Sequence, residues 1–178
     1  MNCRRYRPED HATCLALFHS NIPSSFLLEE APGFAAFIER GEGQYLVIED
    51  GDGHAIACGG LAIEGTEARL CWGLVAEQLH RRGVGRLLLD VRLAMACGTP
   101  GVTEVTMDTS NETAGFFERH GFTTIHVIEN YHRPGLHRHD MQLALDATAR
   151  AAIRQRLDAA SAAGHRIEQG ILEPLRDR

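Results

Sequence analysis

The sequence predicts a mixed α/β fold of the α+β type, a mainly antiparallel sheet flanked by helices. Two apolar runs, Tyr45–Glu49 (YLVIE) and His54–Ile63, are joined by Asp50-Gly51-Asp52-Gly53, a strong hairpin signal. A third run, Ala68–Ala76 (ARLCWGLVA), passes through a glycine-containing loop into a pattern of helical period from Val84 to Cys97. Beyond that helix the period switches again, to strand at Val102–Thr109 and to helix at Ser110–His120.

Taken in order, Asn2–Arg7 reads as a short edge strand closed by Pro8. Glu9 and Asp10 open a helix with Ala12, Leu15, Ala16 and Phe18 as its apolar positions. Asn21–Ser25 is a loop, and Phe26–Arg40 is a helical region that Pro32-Gly33 interrupts. Gly59-Gly60 in the second hairpin strand predicts a bulge or the close approach of another element, and Glu64-Gly65-Thr66 a turn. Thr99-Pro100-Gly101 ends the long helix, and Gly121 takes the C′ position of the next one. Two strands follow, Phe122–Glu129 and His139–Leu145, around a loop at Asn130–Arg138. Asp146 caps a last alanine-rich helix that Gly164 ends, with an irregular tail after it. Ile153, Leu157 and Ala160 form one stripe on that helix, set against the chain's own sheet or against a second copy.

The 178 residues suit one domain with a sizeable core. We therefore divide the chain into a unit over 1–145 and a C-terminal helix and tail, 146–178, packed on it. A net charge of −6 argues against nucleic acid and membrane surfaces and favours an amine-bearing partner. All 18 basic residues are arginine. The five cysteines (Cys3, Cys14, Cys58, Cys71, Cys97) show no paired spacing, so neither a disulfide framework nor a zinc site is expected. No apolar run reaches the ~20 residues of a membrane span, and a cytoplasmic location is expected.

The chemistry concentrates in Leu74–Leu89 (LVAEQLHRRGVGRLLL), where a strand runs into a loop and then a helix. Gly83 and Gly85 let an anion approach the backbone, the helix start offers unpaired N–H donors, and Arg81, Arg82 and Arg86 add positive charge. A dinucleotide fingerprint needs a third glycine where Leu88 stands, and a hairpin precedes the loop in place of a βαβ unit. A tight turn with solvated arginines is the plainer alternative.

The spacing from Val75 to Gly83 and the stretch Asn111-Glu112-Thr113-Ala114-Gly115-Phe116-Phe117-Glu118-Arg119-His120-Gly121-Phe122 together resemble the GNAT acetyltransferase superfamily, over roughly Arg4 to Leu145. His80 stands where the family often has glutamine or arginine. The resemblance implies a twisted sheet whose fourth and fifth strands splay apart to admit the pantetheine arm of acetyl-CoA as cosubstrate. It implies that backbone groups of Leu74, Val75 and Ala76 pair with that arm, and that the loop from His80 through Arg81, Arg82, Gly83, Val84, Gly85 and Arg86 holds the pyrophosphate. Asn111 and Phe117 would flank the arm. The implied reaction is direct transfer of an acetyl group to an amine of a small molecule or a peptide N-terminus.

Phe117 departs from the family's tyrosine, which protonates the leaving thiolate. Tyr131 is the candidate replacement, and Asp108, Glu29 or Glu30 the candidate base. A sensor that binds acyl-CoA without turnover is the rival reading. His132, His137 and His139 invite a metal, but they lack a recognisable ligand spacing and no metal is expected. Monomer and homodimer are both open.

Overall fold

The computed structural model describes residues 1–40 and 44–173, apart from the side chain of His132. The strands are β1 (Asn2–Arg5), β2 (Gln44–Glu49), β3 (Ala55–Glu64), β4 (Glu67–Val75), β5 (Glu104–Ser110), β6 (Thr123–Arg133), β7 (Leu136–Ala144) and β8 (Arg166–Ile167). The helices are α1 (His11–Ser20), α2 (Ala31–Arg40), α3 (Val84–Gly98), α4 (Asn111–Glu118) and α5 (Ala147–Ala162). Among the described residues the strands form one sheet in the order β6-β7-β5-β4-β3-β2-β1-β8. Pairing is antiparallel except between β4 and β5 and between β1 and β8.

Two apolar layers cover the sheet. On one face α3 packs through Leu87, Leu88, Val91 and Met95 against Leu46, Ile48, Leu61, Val105 and Met141. On the other, Phe18 of α1 and Phe34 of α2 pack with Tyr45, Val47 and Leu74. Each such side chain contributes about 1.5–3 kcal/mol when removed from water. The amphipathic stripe of α5 faces its own chain: Ile153 is buried, and Leu157 and Ala160 pack against the α3 layer.

Four sequence expectations need correction. Pro32-Gly33 do not interrupt a helix; they stand in the first turn of α2, where the missing proline N–H costs no hydrogen bond. The strand β1 is not at the edge, because β8 pairs with it in parallel. The tail after Gly164 is irregular except for the short strand Arg166–Ile167: Arg166 N–H donates to the Met1 carbonyl at 3.0 Å, and Ile171 is fully buried; residues 174–178 lie outside the described residues. Finally, Asn130–Arg138 is no open loop. The hairpin of β6 and β7 runs on to Arg133↔Leu136, and Gly135 turns the chain at φ +80°.

Candidate functional site

The parting of β4 from β5 builds the site. The two strands pair only at Glu67↔Glu104, Ala68↔Val105 and Arg69↔Thr106, while β5 stays paired with β7 as far as Ser110↔Arg138. From Leu70 onward β4 therefore diverges. A bulge assists it: Cys58 faces Leu74 and Gly60 faces Cys71, so Trp72 and Gly73 stand opposite Gly59 alone. Trp72 takes a positive φ of 42° there, and its carbonyl accepts from the Tyr45 hydroxyl at 2.9 Å.

Arg92 of α3 underlies the bulge. Its buried guanidinium donates to the Leu88 carbonyl at 3.2 Å and the Gly60 carbonyl at 3.5 Å. A Cβ on Gly59 or Gly73 would lie 3.1 Å from its terminal nitrogens, so the glycines make room for it. Burial pulls the Arg92 pKa down to about 10, which leaves it charged at neutral pH.

The end of β4 is fixed by side chains. The Val75 carbonyl accepts from Asn21 Nδ2 at 2.9 Å and His80 Nε2 at 3.0 Å, and the Ala76 N–H donates to the Ile56 carbonyl at 2.9 Å. Leu74 and Ala76 are buried. The chain then turns through Arg81 at φ +61° and Gly83 at φ +87° into α3, whose first turn has no side-chain cap. A Cβ on Gly83 would meet open space, and one on Gly85 would touch Val75 at an ordinary 3.5 Å. Val84 is buried, whereas Arg81, Arg82 and Arg86 are exposed. Uncapped N–H groups, an open glycine and three guanidinium groups make a donor set that fits a diphosphate.

Across the gap, Phe117 lies at the rim of the core, edge-on to Phe116 and Phe122. Asn111 is engaged elsewhere: its Oδ1 accepts from the His137 N–H at 2.8 Å, and its Nδ2 approaches the Gly135 carbonyl at 3.4 Å.

On the face that α1 and α2 leave uncovered, a charged network crosses four strands. Arg69 pairs with Asp108 at 2.9 Å, and Arg138 reaches Asp108 at 3.8 Å and Asp140 at 2.7 Å. His126 approaches Asp140 at 3.3 Å. Partial burial disfavours the Asp140 carboxylate, but hydrogen bonds from Arg138 and His126 outweigh that and hold its pKa below the usual value. The Arg138 guanidinium also lies 5.2 Å from the centre of the Tyr131 ring. Tyr131 thus stands on β6, half exposed, linked to Asp108 through Arg138.

Beside this floor stands an aromatic wall: Trp72 stacks on Phe26 at 6.0 Å and meets Phe34 at 5.4 Å. Glu30 caps its own turn, accepting from the Leu27 N–H at 2.8 Å, and Glu29 is exposed. His137 Nδ1 accepts from the Asn130 N–H, and His139 bonds Thr124; the side chain of His132 lies outside the described residues. Among the described residues no helix is long and apolar enough to cross a membrane.

Sequence reasoning missed Asn21, Arg69, Arg92 and Arg138. Asn21 had no signal beyond a polar loop. Arg69 and Arg138 could have been paired with Asp108 only by knowing the register of β4, β5 and β7.

The splayed parallel pair beside a glycine-bearing helix start is the feature around which the candidate site of this α/β protein is built. The chain matches, over residues 41–124, the family model described as an acetyltransferase (GNAT) domain. Its fold is shared with Ard1 from Thermoplasma volcanium (20% identity, TM-score 0.66, 81% of this chain and 97% of that one). An aminoglycoside 6′-N-acetyltransferase complexed with coenzyme A is similar too (12%, TM-score 0.67, 82% and 98%). So is the ribosomal-protein-S18-alanine N-acetyltransferase from Escherichia coli (15%, TM-score 0.64, 81% and 93%). At these identities the likeness is one of fold. No curated protein sequence matches the chain.

Proposed function

We propose that this protein is an acyl-CoA-dependent N-acyltransferase. It moves an acetyl group from acetyl-CoA to the primary amine of a small molecule or of a peptide N-terminus. The observation that carries the reading is the divergence of β4 from β5 after Arg69, directly beside the uncapped start of α3. We take 1–145 as the acetyltransferase unit, with 146–178 packed on it, and the cytoplasm as its location.

In this reading the N–H groups of Arg81 to Arg86 hold the pyrophosphate, and Leu74 to Ala76 line the thioester arm. Phe117 packs beside the arm, and Asn111 reaches it by giving up its weak bond to the Gly135 carbonyl. Acetyl-CoA, when bound, supplies a thioester carbon that the neutral amine attacks. The C–N bond forms, the C–S bond breaks, and the proton lost by the nitrogen balances the one gained by the thiolate. Asp108 is the proposed acceptor of the amine proton, placed by Arg69 and Arg138. Tyr131 is the proposed donor to sulfur in place of the tyrosine that Phe117 replaces. Tyr131→Phe should lower turnover about tenfold or more, the lower range for a general acid, with acetyl-CoA affinity within twofold of wild type. An unchanged rate removes Tyr131 from the mechanism.

Phe117 also supports a second reading, an acyl-CoA sensor without turnover. Calorimetric titration with acetyl-CoA, followed by a thiol-release assay against pooled amines, separates the two. Binding with release is the expected result. Binding without release across a broad amine panel favours the sensor, and absence of binding overturns both.

A further inference from the structure

Arg92 is a buried cation without a counter-ion. It stands on α3 with 4% of its surface exposed, and among the described residues no carboxylate forms an ion pair with it. Asp90, two residues earlier, is engaged by Arg156 and Arg86. The ionisable groups that act on Arg92 most strongly are Tyr45 of β2, Cys71 of β4, Cys58 of β3 and Cys3 of β1. Burial raises the pKa of all four, so each is neutral at neutral pH and none offsets the charge. Two backbone carbonyls accept its hydrogen bonds, Leu88 at 3.2 Å and Gly60 at 3.5 Å. A guanidinium held out of water with only these partners destabilises the fold, and an apolar side chain of similar length would suit the core better.

The charge points to the place where β4 leaves β5. Among the described residues Nη2 makes no hydrogen bond, and it is the atom nearest Gly73, 3.1 Å from where a Cβ would stand. Gly73 is exposed and lies beyond the last pairing of β4 with β5, Arg69↔Thr106. Gly59, the other glycine against the guanidinium, is buried. The field of Arg92 therefore reaches the gap past a single residue that has no side chain. Leu74, the next residue, begins the segment that lines the thioester arm in the acyl-CoA reading. An opposite charge within about 4–6 Å moves a pKa by about 1–3 units toward the ionised form.

We propose that Arg92 supplies, across Gly73, the positive field that stabilises the negative charge gained by sulfur as the thioester breaks. The inference rests on the acyl-CoA reading above and adds to it a group that acts where Phe117 cannot. In the transfer step the amine nitrogen forms the C–N bond and its proton passes to Asp108. The C–S bond breaks, its electron pair stays on sulfur, and a proton from Tyr131 then neutralises the thiolate. Arg92 gives up no proton and touches no reacting atom. Its charge makes the sulfur less basic, so the C–S bond breaks with less help from a proton donor.

The test reads the pKa of the CoA thiol in its complex with the full chain, through the ultraviolet absorbance of the thiolate. The acetyl-CoA complex is the blank, because it has no thiol proton. The thiol bound to wild type is expected to ionise about one unit or more below the thiol bound to Arg92→Gln, a tenfold difference in acidity. Glutamine can still donate to the Gly60 carbonyl, so this comparison removes the charge and keeps a support for the bulge. Arg92→Met removes both, should show the same raised pKa, and carries the test if the glutamine variant does not fold. Calorimetric titration should show that both variants still bind acetyl-CoA. Equal thiol pKa values in wild type and in a variant that binds acetyl-CoA overturn the inference and leave Arg92 as a support of the bulge alone. Loss of acetyl-CoA binding in both variants assigns Arg92 to the shape of the gap and overturns it too. Wild type that binds neither CoA nor acetyl-CoA overturns the acyl-CoA reading itself.

Discussion

At the residue scale, Gly83 carries the largest share of the candidate site's logic. Its φ of +87° turns the chain into α3, whose start has no side-chain cap, and the space its Cβ would occupy is open. Asp and Asn tolerate the left-handed region better than other side chains, and they are nearly the same size. Gly83→Asp and Gly83→Asn should each lower stability by about 1 kcal/mol. Only the aspartate sets a like charge against a pyrophosphate. Acetyl-CoA should therefore bind about tenfold more weakly to Gly83→Asp than to Gly83→Asn, a difference of about 1.4 kcal/mol. Equal affinities in a side-by-side titration would mean that no anion sits at this turn.

At the scale of elements, the bulge of β4 links core packing to the gap. Tyr45 pins the Trp72 carbonyl through its hydroxyl, and its ring edge would lie 2.9 Å from a Cβ on Gly60. The ring cannot yield without releasing the bulge. Gly60→Ala should therefore destabilise the protein by about 1–3 kcal/mol, the usual range for overpacking. Gly51→Ala, in the open hairpin turn, should stay within about 0.5 kcal/mol of wild type. Urea midpoints measured on both variants check this, and equal midpoints would contradict it. The same elements show what the sequence could reveal. Punctuation is local, so the Asp50–Gly53 hairpin, the Asp146 cap on the Ala149 N–H and the left-handed Gly121 were all legible. The place of Pro32 in the first turn of α2 and the extension of β6 through Tyr131 were not, because neighbouring elements decide whether a proline stands in a helix start or a polar stretch pairs. Nothing local in the sequence marks Arg92 as buried; the glycines of two other strands make the room for it.

At the scale of the whole molecule, the C-terminal segment is fastened to the fold at many points. Arg150 donates to the carbonyls of Leu145, Cys97 and Val102 at 2.8, 2.8 and 2.6 Å, which closes the end of α3. Glu168 accepts from the Arg5 N–H at 2.8 Å beside the β1–β8 pairing. Ile153 and Ile171 are buried in the same core that α3 covers. Ending the chain at Leu145 exposes that core, uncovers β1 and leaves the buried Asp90 carboxylate with only the more distant Arg86. The two isoleucines alone contribute about 3–6 kcal/mol, and each kcal/mol moves the melting temperature of a chain this size by about 2–4 °C. The shortened chain should melt at least about 10 °C lower, or lose a cooperative transition altogether, when followed by circular dichroism. A transition within about 4 °C of the full chain would mean that 1–145 folds independently and that α5 is an accessory to it.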